Sequence, residues 1–176
     1  VLITGARTGI CFECSKKYIR NDYIVLAHYF EQNNNINYLN ESPNSDTIYC
    51  DFRDEKSLKD FLNKIKEKDI KVLINNAGAF DFSKNENSRI NNIKEILSVN
   101  LIAPVLIIET VIEKMKQEKS GHILNVGSIG SKYGSNSDNI FYGISKRGIE
   151  SSTKSFAREL ARHNILVNTC LLYTSP

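Results

Sequence analysis

The sequence lacks the features that mark several large classes of protein. Its formal net charge is only +3 over 176 residues, and with no basic arm or stripe nothing indicates binding to nucleic acid. The longest apolar run, residues 101–108, is far shorter than the roughly 20 residues that a membrane span needs. Four cysteines do not make a disulfide framework in a chain of this size, and no signal peptide is visible. We therefore predict one cytoplasmic domain that contacts neither a membrane nor nucleic acid.

Hydrophobic periodicity predicts strands and helices that alternate along the chain. The predicted strands cover residues 1–3, 23–27, 47–50, 71–74 and 122–126, and a sixth begins at residue 165. The predicted helices cover residues 10–20, 55–66 and 90–117, the last of these kinked or locally broken at Pro104. A further helix is predicted from the N-cap Asn139 to about Arg162. Residues 32–45 form a polar connection with at most a short helix. This alternation predicts an α/β fold of three layers, a doubly wound parallel sheet that binds ligands at the carboxyl ends of its strands.

A glycine-containing turn follows the first predicted strand. In Thr4-Gly5-Ala6-Arg7-Thr8-Gly9-Ile10 the glycines permit a tight turn and the close approach of a pyrophosphate to a helix N-terminus. A plain glycine turn is the alternative interpretation of this motif alone. The candidate cofactor-binding residues in this turn are Gly5, Arg7, Thr8, Gly9 and Ile10.

Other polar residues fall at the ends of later strands or on the helices beyond them. Asp51 and Phe52 end the third strand, and Asn76 and Gly78 lie in an N-N-A-G sequence after the fourth. Ser128 follows the fifth strand, and Tyr142 and Lys146 share one face of the next helix. Asn100 lies within the long predicted helix. Because they meet at one edge of the sheet, these residues predict a shared site, and we predict no metal site.

Together these motifs resemble the non-extended short-chain dehydrogenases/reductases, in the correct order and spacing from residue 1 to about residue 168. The resemblance implies a Rossmann fold and hydride transfer between a nicotinamide cofactor and a carbonyl or alcohol, with the 3-oxoacyl-carrier-protein reductases as the nearest branch. It implies that Tyr142 is the general acid or base, that Ser128 binds the substrate oxygen, and that Lys146 holds the nicotinamide ribose. It further implies that Asn100 holds a proton-relaying water, that Asp51 accepts a hydrogen bond from the adenine, and that the full-length protein is a homodimer or homotetramer.

Two features depart from the family pattern. Cys11 stands where the third glycine of the turn is usual, and it is expected to push helix and strand apart. The second strand has neither Asp nor Arg at its tip, Glu31 comes slightly late, and Arg7 lies one place early for an NADP contact. We expect NADP or NAD as the cofactor, with a slight preference for NADP.

Alternatives to an oxidoreductase remain open at this point. One is a non-catalytic dinucleotide sensor, which could dispense with Ser128, Tyr142 and Lys146. Another is a thiol redox protein that uses the C-x-x-C pair Cys11 and Cys14.

The end of the sequence carries a separate expectation. Residues 170–176 resemble the translation of a sequencing adapter, so the predicted domain covers residues 1–169. The family's last strand and its substrate-covering segment are then expected to be missing.

Overall fold

The computed structural model describes residues 1–80, 89–135 and 139–173, which build a parallel sheet with helices on both faces. The strands in chain order are β1 Leu2–Ile3, β2 Val25–Tyr29, β3 Ser45–Tyr49, β4 Val72–Asn75, β5 Gly121–Ser128 and β6 Ile165–Leu172. Their order across the sheet is β3-β2-β1-β4-β5-β6, and every described pair is parallel. The direction of winding reverses between β1 and β4, which is where such sheets bind ligands. The predicted doubly wound α/β fold is confirmed.

Helices connect successive strands. They are α1 Gly9–Arg20, α2 Asn34–Glu41, α3 Glu55–Lys66, α4 Arg89–Leu97, α5 Ala103–Glu118, α6 Gly130–Tyr133 and α7 Ile140–Leu160, with a 3₁₀ turn at Ala161–His163. The polar connection contains α2, whose first turn is capped where Asn33 Oδ1 accepts a hydrogen bond from Ile36 N at 3.0 Å. The helix α7 begins directly after Asn139, as predicted.

The alternation of side chains along each strand divides the core into two layers. Leu2 of β1 and Leu26 of β2 face the larger layer, beneath α3, α5 and the end of α7. Ile3 and Ala27 face the smaller layer, beneath α1 and α2. Because β1 is buried on both faces, the glycine turn that follows it starts from a fixed position.

The predicted long helix is interrupted before its proline. A π turn, Ser98–Ile102, separates α4 from α5, and Ala103 N donates to Ser98 O across it. Pro104 follows directly in the first turn of α5, where its ring and its missing N–H are incompatible with a regular helix through the preceding turn. The predicted kink or local break of the long helix at Pro104 is therefore confirmed as a break.

The same helical segment, Arg89–Glu118, is long and apolar enough to cross a membrane by length and composition alone. In the fold, however, one side of α5 is buried against the sheet, including Ile107, Ile108 and Val111. Packing in the core thus accounts for its apolar character.

Two strand boundaries differ from the prediction in ways that affect the site. The strand β2 begins and ends two residues later than predicted, so Tyr29 is its last residue and Glu31 lies just beyond its tip. The last strand, β6, continues through Leu172 and pairs with β5 along its whole length, so that Cys170 lies opposite Val126. The adapter origin of residues 170–176 concerns the source of the sequence and stays a prediction.

Candidate active site

A cleft of about 770 Å³ opens at the carboxyl ends of the strands, beside the point where the winding reverses. Its volume lies within the usual range for small-molecule and cofactor sites. The structure brings to this cleft every predicted site residue except Asn100: Gly5, Arg7, Thr8, Gly9, Ile10, Asp51, Phe52, Asn76, Gly78, Ser128, Tyr142 and Lys146.

The glycine turn has the geometry of a dinucleotide cradle. Gly5 adopts a φ of +71°, and a Cβ at this position would lie 2.9 Å from Ala77 Cα, so a side chain is excluded by strain and by contact. Gly9 adopts a φ of +60° at the start of α1, and nothing lies within 4 Å of its would-be Cβ. This open space at a helix N-terminus fits the pyrophosphate of a dinucleotide.

Cys11 is accommodated without opening the structure. Its side chain is 1% exposed and packs in the smaller core layer, which also contains Ile3, Ala27 and Ile74. Burial raises the pKa of the Cys11 thiol to about 12, and burial also raises the pKa of Cys14. Since the thiolate is the reactive form, both shifts argue against a thiol redox pair.

The N-N-A-G sequence after β4 fixes the glycine turn from one side. Thr4 Oγ1 accepts hydrogen bonds from Asn76 N at 3.0 Å and Ala77 N at 3.1 Å. Asn75, the first residue of the motif, acts through its side chain: its Nδ2 donates to Asn125 Oδ1 at 3.0 Å and so joins β4 to β5. The buried amides therefore hold together the strands that carry the cleft.

Asn100 lies behind the cleft and supports it. From the π turn its Oδ1 accepts a hydrogen bond from Ala79 N at 2.7 Å, and its Nδ2 donates to Ala79 O at 2.8 Å. Nδ2 also lies 3.2 Å from Ser145 Oγ on α7. These contacts engage the whole side-chain amide, so its position indicates support of the turn after Gly78, and the water that Asn100 is predicted to hold stays a prediction.

The helix α7 presents Tyr142 and Lys146 to the cleft. Lys146 is 5% exposed, and its Nζ donates to Val126 O at 2.9 Å. Burial lowers the pKa of Lys146 to about 8, so the ammonium form still dominates at neutral pH. Nζ lies 5.8 Å from the centre of the Tyr142 ring, and Phe80 packs edge-on against that ring at 4.8 Å.

Ser128 ends β5 and lines the same cleft. Its Oγ accepts a hydrogen bond from Gly130 N at 3.2 Å, which orients the hydroxyl while leaving its proton to be donated elsewhere. The short helix α6 that follows is tied to α7, because Ser131 Oγ donates to Glu150 Oε1. Within α7, Arg147 Nη1 lies 3.0 Å from Glu150 Oε2 and holds that carboxylate in place. The turn that carries Ser128 is thus fixed relative to Tyr142.

Charged side chains surround the tip of β2. Arg7 Nη1 lies 3.1 Å from Glu31 Oε2, which the late end of β2 brings to the cleft. Arg53 donates to both oxygens of Asp51 and lies 4.3 Å over the Phe30 ring. Hydrogen bonds from Arg53 lower the pKa of Asp51 below its ordinary value. Arg53 and Phe30 were not predicted; the sequence D-F-R-D places Arg53 beside a predicted residue, and this was the available signal.

His28 is a further residue of the cleft wall that was not predicted. It is 2% exposed on β2, and its ring stacks on Phe52 with centres 4.2 Å apart and planes 9° apart. Burial lowers the pKa of His28 to about 4, which keeps the imidazole neutral at physiological pH. A lone histidine within a strand carries no sequence signal for this role.

The strand order and the glycine turn at the switch point define a doubly wound protein of the Rossmann class. Comparison with known proteins identifies the family within it. The family model described as short chain dehydrogenase matches residues 1–174, and the chain belongs to that family.

The match to each named relative covers only part of that relative's length. The chain is 33% identical over 123 residues to carbonyl reductase family member 4 of Xenopus tropicalis, a match that covers 69% of this chain and 52% of that protein. It is 32% identical over 168 residues to the 3-oxoacyl-[acyl-carrier-protein] reductase of Aquifex aeolicus, covering 96% of this chain and 60% of the relative. The chain thus spans about half to three fifths of the length of these two reductases.

Among solved structures, the bulky-bulky ketone specific alcohol dehydrogenase from Comamonas testosteroni superposes with a TM-score of 0.88. The two chains are 23% identical, and the match covers 98% of this chain and 74% of the other. At this identity the likeness supports the fold.

Proposed function

We propose that this chain is the cofactor-binding and catalytic part of an NAD(P)-dependent oxidoreductase that interconverts a carbonyl and an alcohol. The observation that carries the proposal is the convergence of Ser128, Tyr142 and Lys146 on the cleft that the glycine turn borders. Both named reductase relatives support this class of reaction. When bound, the nicotinamide supplies or accepts the hydride.

Tyr142 is the proposed proton donor to the carbonyl oxygen during reduction, and the proton acceptor during alcohol oxidation. The ammonium group of Lys146 is proposed to attract the negative charge that Tyr142 carries after it gives up its proton. Lys146 keeps its position through its bond to Val126 O and stands 5.8 Å from the Tyr142 ring centre. The same ammonium is the proposed partner of the nicotinamide ribose hydroxyls.

Ser128 is proposed to donate its free hydroxyl proton to the substrate oxygen and to stabilise the charge that develops there. The bond from Gly130 N to Ser128 Oγ supports this role, because it fixes the oxygen without using its proton. Phe80 adds an apolar wall beside Tyr142, which suits a small carbonyl or alcohol substrate with an apolar substituent.

The cofactor is proposed to lie with its pyrophosphate over Gly9, Thr8 and Ile10 and its adenine near Asp51. Asp51 Oδ1 accepts from both Arg53 N and Arg53 Nε, whereas Oδ2 accepts only from Arg53 Nη2 and so keeps a lone pair for a further bond. Of the two nicotinamide cofactors we favour NADP, because Arg7 and Arg53 flank the place of an adenosine 2′-phosphate. Glu31 opposes this choice, since an acid at the tip of β2 accepts a bond from the ribose hydroxyl of NAD.

The full-length protein is further proposed to be a cytoplasmic homodimer or homotetramer that contacts neither membrane nor nucleic acid. Exposed apolar side chains on the helices at one end of the fold, including Ile90, Ile102 and Ile144, support self-association there. Size-exclusion chromatography with light scattering tests the assembly, and a monomeric full-length protein contradicts it.

The first test is a titration of the folded chain with NADPH and then NADH, followed by nicotinamide fluorescence. Saturable binding is the expected result, and the absence of binding by a chain with native circular dichroism overturns the proposed cofactor site.

The second test follows NADPH oxidation in the full-length protein with a 3-oxoacyl thioester and with a simple aromatic ketone. Tyr142→Phe is expected to abolish turnover while leaving cofactor affinity within about twofold; turnover that survives contradicts the role of Tyr142. A full-length protein that binds NADPH but oxidises it with neither substrate would instead favour the sensor.

A further inference from the structure

His28 is a buried polar side chain for which the proposed chemistry has no use. It lies on β2, directly beneath the glycine turn, with the Phe52 ring stacked on it and the edge of Phe61 at 5.4 Å between centres. A fully buried imidazole costs free energy unless both of its nitrogens find partners. The identity of those partners indicates what the side chain does.

Both ring nitrogens are engaged, and each contact defines a protonation state. Gly5 N donates to His28 Nδ1 at 3.1 Å, so Nδ1 is the unprotonated acceptor. Nε2 lies 3.0 Å from Cys50 O, which only accepts, so Nε2 carries the proton. These partners assign the neutral tautomer with hydrogen on Nε2, which is the only form that makes both bonds.

His28 also contacts the turn through its main chain. Ala6 N donates to His28 O at 2.9 Å, so two consecutive amides of the turn are bonded to this one residue. On the other side of the turn, Thr4 N donates to Ile74 O at 2.9 Å. The turn is thus held between β2 and β4, and its bond at Gly5 N is made by a side chain that can be replaced.

The second ring nitrogen extends this support to the other end of the cleft. Cys50 immediately precedes Asp51 and Phe52, which line the proposed adenine end of the site. The same ring therefore connects the turn that approaches the pyrophosphate with the strand end that approaches the adenine. A displacement at either end is transmitted through two hydrogen bonds and one stacked pair.

We propose that His28 is a positioning residue for the dinucleotide site, which holds the glycine turn through Gly5 and fixes the spacing between that turn and the end of β3. The part that concerns the dinucleotide rests on the proposed function, whereas the part that concerns the turn does not. Loss of the acceptor for Gly5 N leaves a buried donor unpaired, and we expect this loss to weaken cofactor binding more than loss of the bond to Cys50.

Two variants of similar size separate these bonds. In His28→Asn the amide oxygen takes the place of Nδ1 and preserves the acceptor for Gly5 N, while the bond to Cys50 O is lost. In His28→Gln the longer side chain reaches the place of Nε2 and preserves the donor to Cys50 O, while the acceptor for Gly5 is lost. We expect the NADPH dissociation constant of His28→Asn to stay within about threefold of the wild type and that of His28→Gln to rise about tenfold.

A second readout does not depend on the cofactor. In the ¹⁵N-labelled chain without ligand, the Gly5 amide is expected to be protected from hydrogen exchange in the wild type and in His28→Asn, and to lose protection in His28→Gln. The ¹⁵N shifts of the wild-type ring are expected to show an unprotonated Nδ1 and a protonated Nε2 at neutral pH. A role in packing alone would lower the free energy of unfolding of both variants without this difference at Gly5.

The outcomes separate this inference from the proposed function. If the wild-type chain binds neither NADPH nor NADH, the proposed function fails, and Gly5 exchange together with the ring shifts still decides the role of His28. If the wild type binds but the two variants weaken binding equally, or Gly5 exchanges alike in both, the role of His28 is overturned. If His28→Gln does not fold, His28→Asn decides alone: near-wild-type affinity with a protected Gly5 supports the proposal, and loss of both refutes it.

Discussion

Replacing Lys146 with methionine is expected to stabilise the fold at neutral pH while removing the proposed activity. Lys146 is 5% exposed, its Nζ donates to Val126 O, and no acidic side chain of the described residues lies within 4 Å of that nitrogen. Its charge is therefore buried with one hydrogen bond and no counter-ion. Methionine has a similar length, carries no charge, and adapts to irregular space in a core.

The magnitude follows from the effect of burial on Lys146. Burial lowers its pKa to about 8 from an ordinary value of 10.5, and each tenfold change in proton affinity is worth 1.36 kcal/mol, so the buried charge costs about 3 kcal/mol. Lys146→Met removes this cost but also loses the bond to Val126 O, which destabilises the variant by about 1–2 kcal/mol. Lys146→Met should thus raise the free energy of unfolding by about 1–2 kcal/mol at pH 7.

The difference in unfolding free energy between Lys146→Met and the wild type is expected to depend on pH. Below pH 8 the lysine is protonated in both the folded and the unfolded chain, and the wild type bears the full cost. Between about pH 8 and pH 10.5 the unfolded chain binds a proton that the folded chain has released, so the wild type gains stability as pH rises. The advantage of Lys146→Met should therefore shrink by about 3 kcal/mol over this interval and reverse near its middle.

Urea unfolding followed by far-ultraviolet circular dichroism at pH 7, 8, 9 and 10 measures this difference directly. Other titrating groups contribute to both proteins and cancel. Lys154→Met, on an exposed position of the same helix, serves as the matched control and is expected to change stability by less than about 0.5 kcal/mol at every pH. A difference between wild type and Lys146→Met that does not vary with pH would refute the burial argument.

Three further changes test the turn and the tip of β2. Gly5→Ala should lower the free energy of unfolding by about 1–3 kcal/mol, measured in urea, and abolish NADPH binding, because φ is +71° and the new Cβ would meet Ala77; retained affinity contradicts this. Cys11→Gly restores the family motif, yet it should lower the free energy of unfolding by about 1–2 kcal/mol, since the thiol already packs in the core. The NADPH dissociation constant should stay within about twofold, and a large gain in affinity would show that Cys11 impairs the site. Glu31→Gln should raise NADPH affinity roughly three- to fivefold and lower NADH affinity in fluorescence titrations, because it frees Arg7 for a 2′-phosphate; equal changes for both cofactors would remove Glu31 from cofactor selection.

The strand order and most of the cleft could be predicted because they depend on local pattern. The alternation of strands with helices along the chain predicts a parallel sheet. Parallel strands bring their carboxyl ends together at one edge, however far apart they are in the sequence. That rule places Gly5 and Ser128 at one edge of the sheet, and Tyr142 joins them from the helix beyond β5. The position of β2 was wrong by two residues because Tyr23 and Ile24 resemble strand residues, although both are exposed before the strand begins.

What could not be predicted depends on contacts between distant residues. The bond from Gly5 N to the His28 ring spans 23 residues, and nothing in the local sequence of β2 marks that histidine. Arg53 lies beside the predicted Asp51, but its stacking over Phe30 requires the packing of two neighbouring strand ends. The bonds of Asn100 in the π turn to Ala79 likewise join residues that are 21 positions apart, and no helical periodicity contains them.

The π turn also gives this helical segment tolerance to changes in its length. A turn of this kind holds one residue more than an α-helical turn, and one residue corresponds to about 100° of rotation about the helix axis. Deleting a residue such as Val99 would let α4 and α5 join as one helix kinked at Pro104, and the buried side of α5 could keep its packing. The same deletion would rotate Asn100 away from Ala79 and release the turn behind Gly78. Shortening of the chain here should therefore spare the fold while damaging the cleft.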